Sequence, residues 1–531
     1  MARPPSPSLL ARLAPDQLAA ATAPPGPVLC IAPAGSGKTT TLLARLGWRI
    51  ASGCDPATTC ALTFNRRAAD ELRARLAPVL EELGHPGDAV RVRTFHALGR
   101  EILLAAGRRV EPLVDRQSLL AELAGGALSQ ASLRAIDDGI ARLKLERGLS
   151  LAIAEERLGA RTMGDSEPDP LLPAFVAYER ELAARGALDH DDLVRGALVL
   201  LATDQAVLAA WRDRCGVLLV DEVQDLDASQ WRLARLLAAP RDDLFLVGDD
   251  DQTIYAWRLA DARRMLGLSM EMPALRRVHL ETNYRCPAEV VDRAVRLVAH
   301  NAERFAKRVA PRRQAEGRLV LAPDPGDDVA RARRLLATWR PALDAAGRPA
   351  CHAVLARTNA ELAPFAAVAL ELGIAYQAED DGLRLEPAEV ADLPPEALTA
   401  WRIALPPGTA LDAALAAALA RRSALRQADA PLILATVHGT KGLEFDVVAC
   451  VGLDEGRFPS ARSLADAADP ARALEEERRL AYVAWTRARR ELWLLYDPGA
   501  PSPFLVEAFE AEELRWAEGR EPPGARGVVR A

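Results

Sequence analysis

Short apolar runs alternate with helical stretches through the first hundred residues. VLCIA from Val28, TCALTF at 59–64 and VRVRTF at 90–95 have the length of strands buried on both faces. The stretches between them carry apolar residues three and four apart, so the rhythm is βαβ and predicts a parallel sheet. From about 101 to 200 the period is helical throughout, as in LVDRQSLLAELAGGAL and AFVAYERELAARGAL, which predicts an α-helical insertion. Strands return at VLLVD (217–221) and LFLVG (244–248). A second α/β set follows, with RLVLA near 318, HAVLAR near 352, LILATV near 432, DVVACVG near 446 and ELWLLY near 491. Between about 378 and 430 the chain is acidic and rich in Pro and Ala, without a clear strand. The closing GREPPGARGVVRA is expected to be disordered.

Composition narrows the class. With 531 residues there is room for three or four compact units, and 50% hydrophobic with 27% charged residues is ordinary for a globular protein. A net charge of −7 gives no global nucleic-acid signal, but a basic channel fits within an acidic chain. The 7 cysteines are scattered without a CxxC pair, which argues against a zinc site, an iron–sulfur cluster or a disulfide framework. A reducing, cytoplasmic location is therefore expected. No signal-peptide core opens the chain and no apolar run reaches bilayer length, so no membrane partner is expected.

The candidate chemistry follows the strands. After Val28–Ile31 come Ala32, Pro33, Ala34, Gly35, Ser36, Gly37, Lys38, Thr39 and Thr40, then a helical pattern. Strand, glycine-containing loop and helix in that order suit a phosphate-binding loop, although Ala32 stands where Gly is usual. The loop's N–H groups would face phosphate oxygens, Lys38 would neutralise charge and the Thr39 hydroxyl would hold Mg²⁺. VLLVDEVQD places Asp221 at the end of a strand, suited to Mg²⁺, with Glu222 beside it to orient and deprotonate a water. LVGDDDQTIYAWR ends a second strand in acids and in Gln252, an amide suited to sensing a γ-phosphate. Tyr255, Trp257 and Arg258 follow, and an exposed aromatic pair beside an arginine suits base stacking. LETNYRCP offers Tyr284 as a stacking face and Arg285 as a phosphate clamp. LEEERRLAYVAWTRARR carries Arg487 and Arg489 as further candidates. Asp189, His190, Asp191 and Asp192 precede a helical run and are expected to cap it rather than bind metal.

Ten segments in order then carry a resemblance: LAPDQLAA, APAGSGKTT, ALTFNRRAADELRARL, VRTFHALG, VDEVQD, VGDDDQTIYAWR, LETNYRCP, AVLARTN, TVHGTKGLEFDVV and EEERRLAYVAWTRAR. The chain resembles a superfamily 1 DNA helicase of the UvrD/Rep/PcrA group from about residue 10 to 510. The resemblance implies that Gln17 reads adenine and Tyr284 stacks on it. It implies that Lys38 and Thr39 serve phosphates and Mg²⁺, with Asp221 and Glu222 as the metal and water carboxylates. Gln252, Arg285 and Arg487 would contact the γ-phosphate and Glu444 the ribose. Phe64, His96, Tyr255, Trp257 and Arg258 would line a single-strand track, with Thr436 and His438 on the other motor domain. It implies ATP and Mg²⁺ as cofactors, single-stranded and tailed duplex DNA as partners, 3′-to-5′ movement, and repair or replication proteins as associates.

The expected fold is α/β, with two RecA-like parallel-sheet motor domains. Residues 1–100 and 190–280 form the first, 101–189 its helical insertion, 281–377 and 431–512 the second, 378–430 a rudimentary insertion and 513–531 a flexible tail. Asn65, Arg66 and Arg67 replace the family's usual Thr-Asn-Lys after Phe64, and Leu259 stands where Gly commonly follows the Trp-Arg pair. The short 378–430 segment keeps a second reading open, a single-strand translocase that displaces proteins or remodels a partner without unwinding duplex.

Overall fold

A computed structural model describes residues 8–159, 169–313, 315–343, 350–383, 419–514 and 528–530. The chain divides into two compact units, one of Met1–Ala32 and Gly37–Leu280, the other of Pro33–Ser36 and Glu281–Ala531.

In the first unit the strands are β1 (Val28–Ile31), β2 (Thr59–Thr63), β3 (Arg91–Thr94), β4 (Val217–Val220), β5 (Leu244–Gly248) and β6 (Arg276–His279). They form one sheet in the order β3-β2-β4-β5-β1-β6, with every neighbouring pair parallel. β1, β2, β4 and β5 are buried along their whole length, which is why they read as unbroken apolar runs. Helices Lys38–Ala51 and Arg66–Glu82 supply Leu42, Leu46, Leu72 and Leu76 to the core that holds Cys30, Ala61, Leu219 and Phe245.

The helical insertion has its own core of Leu119, Leu120, Ile140, Leu143, Phe175, Val176 and Leu182. A π-helical turn at Arg142–Glu146 buries the Lys144 ammonium completely, within 2.9 Å of Glu179 and Asp189 and 2.8 Å of Asp192. Burying a lysine is tolerable only with such compensation. As expected, Asp189 caps helix His190–Thr203, accepting the Asp192 N–H at 2.9 Å while its own N–H donates to the Asp192 carboxylate at 3.1 Å. Helix Phe95–Ala105 approaches that helix so closely that a β-carbon on Gly99 would strike the Leu193 carbonyl oxygen.

The second unit opens with a two-stranded ribbon, β7 (Thr282–Asn283) and β8 (Ala310–Pro311). Its main strands are β9 (Arg318–Pro323), β10 (His352–Ala356), β11 (Tyr376–Gln377), β12 (Leu432–Thr436), β13 (Phe445–Cys450), β14 (Ala488–Tyr496) and β15 (Val528–Arg530). Their order is β11-β12-β10-β13-β14-β9-β15, again parallel throughout. Leu336, Trp339, Phe365, Val368, Leu434 and Trp493 centre its core. Two parallel sheets covered by helices are the layers expected of two RecA-like domains.

Of the tail expected to be flexible, residues 515–527 lie outside the described residues. Val528–Arg530 pairs in parallel register with Leu319–Leu321, because the outer edge of β9 otherwise presents unpaired backbone groups. Residues 384–418, most of the segment expected to be a rudimentary insertion, lie outside the described residues. At its flanks, the buried Asp381 accepts the Tyr376 hydroxyl at 2.8 Å and the Arg422 guanidinium twice at 2.8 Å.

Candidate functional site

In the first unit the candidate residues gather at the carboxyl ends of the strands, where parallel sheets place ligands. After β1, the Ala32 N–H continues the ladder to Gly248 at 2.8 Å. The chain then turns through Gly35 at φ +70° and Gly37 at φ +85°, conformations that favour glycine. Gly37 caps helix Lys38–Ala51, so the loop delivers its last N–H groups to a helix N-terminus, an anion site by geometry and dipole. The residues of Pro33–Ser36 belong with the second unit. There the Asn283 amide donates to the Ala34 carbonyl at 2.8 Å, and the Tyr284 N–H donates to that of Gly35 at 2.8 Å. Thr39 and Thr40 are half-buried, and Thr40 Oγ1 accepts from Arg75 at 3.2 Å. Gln17 is buried, and its Oε1 accepts the Ala14 N–H at 3.1 Å.

Lys38 Nζ is buried and lies 3.3 Å from Glu222 Oε2, yet it makes no hydrogen bond among the described residues. An ammonium with donors to spare beside glycine N–H groups fits a polyphosphate. Asp221, at the end of β4, is buried; its carboxylate accepts the Glu222 N–H at 2.9 Å. Burial, reinforced by the Glu222 carboxylate, pushes Asp221 up to about 7 against the pull of Lys38. A carboxyl that resists ionising alone fits a site completed by a cation. Among the described residues no group of three His, Cys, Asp or Glu is arranged to hold a metal ion. A Mg²⁺ held by one carboxylate, one hydroxyl, phosphate and water needs none. Glu222 itself sits at φ +51°, a left-handed conformation rare for a non-glycine residue and frequent at functional sites. Gln252 follows β5 and is buried.

The aromatic track lies on the same unit. Phe64 stacks on Tyr255 with centroids 5.3 Å apart and planes 13° from parallel, and Tyr255 meets Trp257 edge-on at 6.1 Å. Tyr255 is therefore half-buried rather than exposed, whereas Trp257 is 52% exposed with the Arg258 guanidinium 4.6 Å over its ring. Leu259 keeps the turn that glycine usually makes, at φ +66°. His96 faces His190 at 6.4 Å, and burial pushes its pKa below the ordinary value. Phe64, His96, His190, Trp257 and Arg258 border a cavity of about 560 Å³.

In the second unit Arg285 donates to Glu444 at 2.7 Å and to the Thr486 carbonyl at 3.1 Å. Arg487 is buried, donating to the carbonyls of Val483 at 3.0 Å and Leu443 at 3.1 Å. Arg489 is exposed, 3.7 Å from Glu444. Glu444 and Arg487 thus sit at the amino ends of β13 and β14, while half-buried Thr436 and His438 lie at the carboxyl end of β12. Tyr284 is 37% exposed.

Sequence reasoning passed over three residues. Asn283 holds the loop and also accepts the N–H groups of Arg285 and Cys286 at 2.9 and 2.8 Å, a side-chain turn that the TNYR segment foreshadows. Gln224 and Asp249 are buried beside Glu222 and Gln252. Nothing in their spacing marks the bond between them, because Gln224 and Asp249 come from different strand ends.

Comparisons with known proteins agree with this geometry. A family model described as the UvrD/REP helicase N-terminal domain matches residues 13–273, and one described as the UvrD-like helicase C-terminal domain matches residues 411–498. The ATP-dependent DNA helicase UvrD2 of Mycobacterium tuberculosis is 33% identical over 581 aligned positions, spanning 94% of this chain and 81% of the relative. The ATP-dependent DNA helicase Rep of Escherichia coli is 32% identical over 309 positions, covering 56% of this chain and 45% of that protein. For the ATP-dependent DNA helicase PcrA of Leuconostoc citreum the figures are 31% over 294 positions, 54% and 38%.

Proposed function

This chain belongs to the UvrD/REP helicase family, and from that premise we propose that it is an ATP-dependent DNA helicase. It hydrolyses ATP to move along single-stranded DNA from 3′ to 5′ and unwinds tailed duplex, in repair or replication in the cytoplasm. One observation carries the reading: Lys38, Asp221, Glu222 and Gln252 stand at the carboxyl edge of one sheet, on the unit that also bears the Phe64–Tyr255–Trp257 track.

The loop N–H groups and Lys38 bind the phosphates. Thr39 and Asp221 would hold Mg²⁺, which supplies charge neutralisation at the terminal phosphates. Glu222 orients a water and takes its proton. Gln17 and Tyr284 select adenine, and Glu444 meets the ribose. Arg285 and Arg487 are assigned to the γ-phosphate. Both now donate to carbonyls of their own unit, so ATP binding has to draw them from those partners. Stacking, at roughly 1–3 kcal/mol per base, grips DNA without choosing its sequence.

A translocase that displaces proteins without separating duplex is the second reading, favoured by the short span between Gln377 and Leu432. Tailed-duplex assays decide between them. ATPase stimulated by single strands together with separation of 3′-tailed duplex supports the helicase. Stimulation without separation from either tail supports the translocase.

A further inference from the structure

Glu222 and Gln252 lie at the ends of different strands, and two buried side chains join them. Gln224 is 1% exposed, in the tight turn after Glu222, and its Nε2 donates to Glu222 Oε2 at 2.5 Å. Its Oε1 accepts the Asp249 N–H at 3.1 Å. Because that oxygen must accept, the amide cannot be flipped, and its N–H₂ has to point at the carboxylate. A β-carbon on Gly248 would collide with Gln224 Oε1, so the end of β5 closes directly over the amide. Asp249 is wholly buried. Its Oδ2 accepts the Gln252 Nε2 at 2.6 Å, and its Oδ1 accepts the Asp251 N–H at 3.3 Å. The chain of bonds runs Glu222, Gln224, Asp249, Gln252 without leaving the first unit.

We propose that Gln224 and Asp249 are positioning residues that couple the Gln252 amide to the Glu222 carboxylate during ATP hydrolysis. The inference rests on the ATPase reading above. Left-handed backbone at a non-glycine residue costs about 1–3 kcal/mol and persists only where its surroundings hold it. Gln224 supplies such a hold on Glu222, and keeps supplying it when Lys38 turns from Glu222 to phosphate. A shift of Gln252 pulls on Asp249, whose N–H is bonded to Gln224, and so moves the group that aims the carboxylate. Low dielectric around these buried groups strengthens each bond in the series. Water need not enter the link for it to act.

The test compares full-length wild type with Gln224→Met, which keeps the volume and removes both bonds, with Gln224→Ala, with Asp249→Asn, and with the Gln224→Met/Asp249→Asn double variant. Steady-state ATPase is measured with and without a dT oligonucleotide, alongside ATP KM, oligonucleotide affinity by anisotropy, and thermal midpoint. For either Gln224 variant kcat should fall by about tenfold or more, while KM and oligonucleotide affinity stay within about twofold. The double variant should be no more than about twofold slower than the slower single variant, since the groups act as one unit. A kcat within about twofold of wild type in Gln224→Met overturns the relay, as do multiplicative losses in the double variant. So does a fall in kcat matched by equal falls in ATP affinity, oligonucleotide affinity and thermal midpoint, which marks a merely structural role. Wild type without ATPase activity overturns the ATPase reading itself, and the relay with it.

Discussion

A β-carbon on Gly37 would stand 2.6 Å from Nε2 of Gln17. The loop assigned to phosphate and the side chain assigned to adenine therefore meet at a position where an added β-carbon would make the Gln17 amide shift. With φ at +85° the same position also resists non-glycine backbone. Gly37→Ala should raise the KM for ATP by about tenfold or more, the equivalent of about 1.4 kcal/mol. A Gly37→Ala protein with the wild-type KM would show that neither the contact nor the turn matters to the nucleotide.

Leu259 holds a left-handed turn in the aromatic track at φ +66°. A side chain not branched at Cβ, such as leucine's, tolerates this at a cost, and a β-branched one is a true outlier there. Leu259→Val should lower stability by about 1 kcal/mol, while Leu259→Asn should fold with the turn intact. Urea unfolding checks both, and equal stability for Leu and Val would remove the strain argument.

Asp227 carries the pH prediction. It caps helix Ala228–Ala238, accepting the Gln230 N–H at 2.9 Å, and is 5% exposed. Burial pushes its carboxyl from 3.8 up to about 7. The folded state therefore binds this proton more tightly than the unfolded chain, so stability falls as pH rises between about 4 and 7 and then levels off. Asp227→Asn keeps a capping oxygen and removes the ionisation. It should be stabilised relative to wild type at pH 8 more than at pH 5, by up to about 2.7 kcal/mol, since only the two pH units from 5 to about 7 contribute. Parallel denaturation of the two proteins at both pH values reads the difference, and identical pH profiles would contradict it.

Trp257 is the exposed member of the stacked track, with Arg258 over its ring. Trp257→Ala should weaken binding of dT and dA oligonucleotides by about the same factor, tenfold or more, corresponding to about 1–3 kcal/mol of stacking. Fluorescence anisotropy measures both, and loss for one base alone would point to edge recognition instead.

The strands that position the site were legible because they are unbroken apolar runs, as at Val28–Ile31, Val217–Val220 and Leu244–Gly248, the last two leading into Asp221 and ending in Gly248. β6 escaped, since RRVH lies at a sheet edge whose arginines stay exposed, and its pairing depends on β1 rather than on its own composition. β15 escaped for the same reason, three residues recruited by an open edge. Nothing in the sequence around Lys144 marks it as buried. It is buried because Glu179, Asp189 and Asp192 arrive from distant segments. The places of Lys38, Asp221, Glu222 and Gln252 at strand ends were readable from their order after strands. What the order could not reveal was how they are held: Arg487 by backbone carbonyls, Glu444 by Arg285, and Glu222 by Gln224.

Unwinding of 3′-tailed and 5′-tailed duplexes by wild type and by Lys38→Ala, with ATP consumption followed in the same reactions, tests the central claim. The account predicts that wild type hydrolyses ATP when single strands are present and separates the 3′-tailed duplex, and that Lys38→Ala does neither. Full ATPase activity in Lys38→Ala, or separation that starts only from 5′ tails, would contradict it.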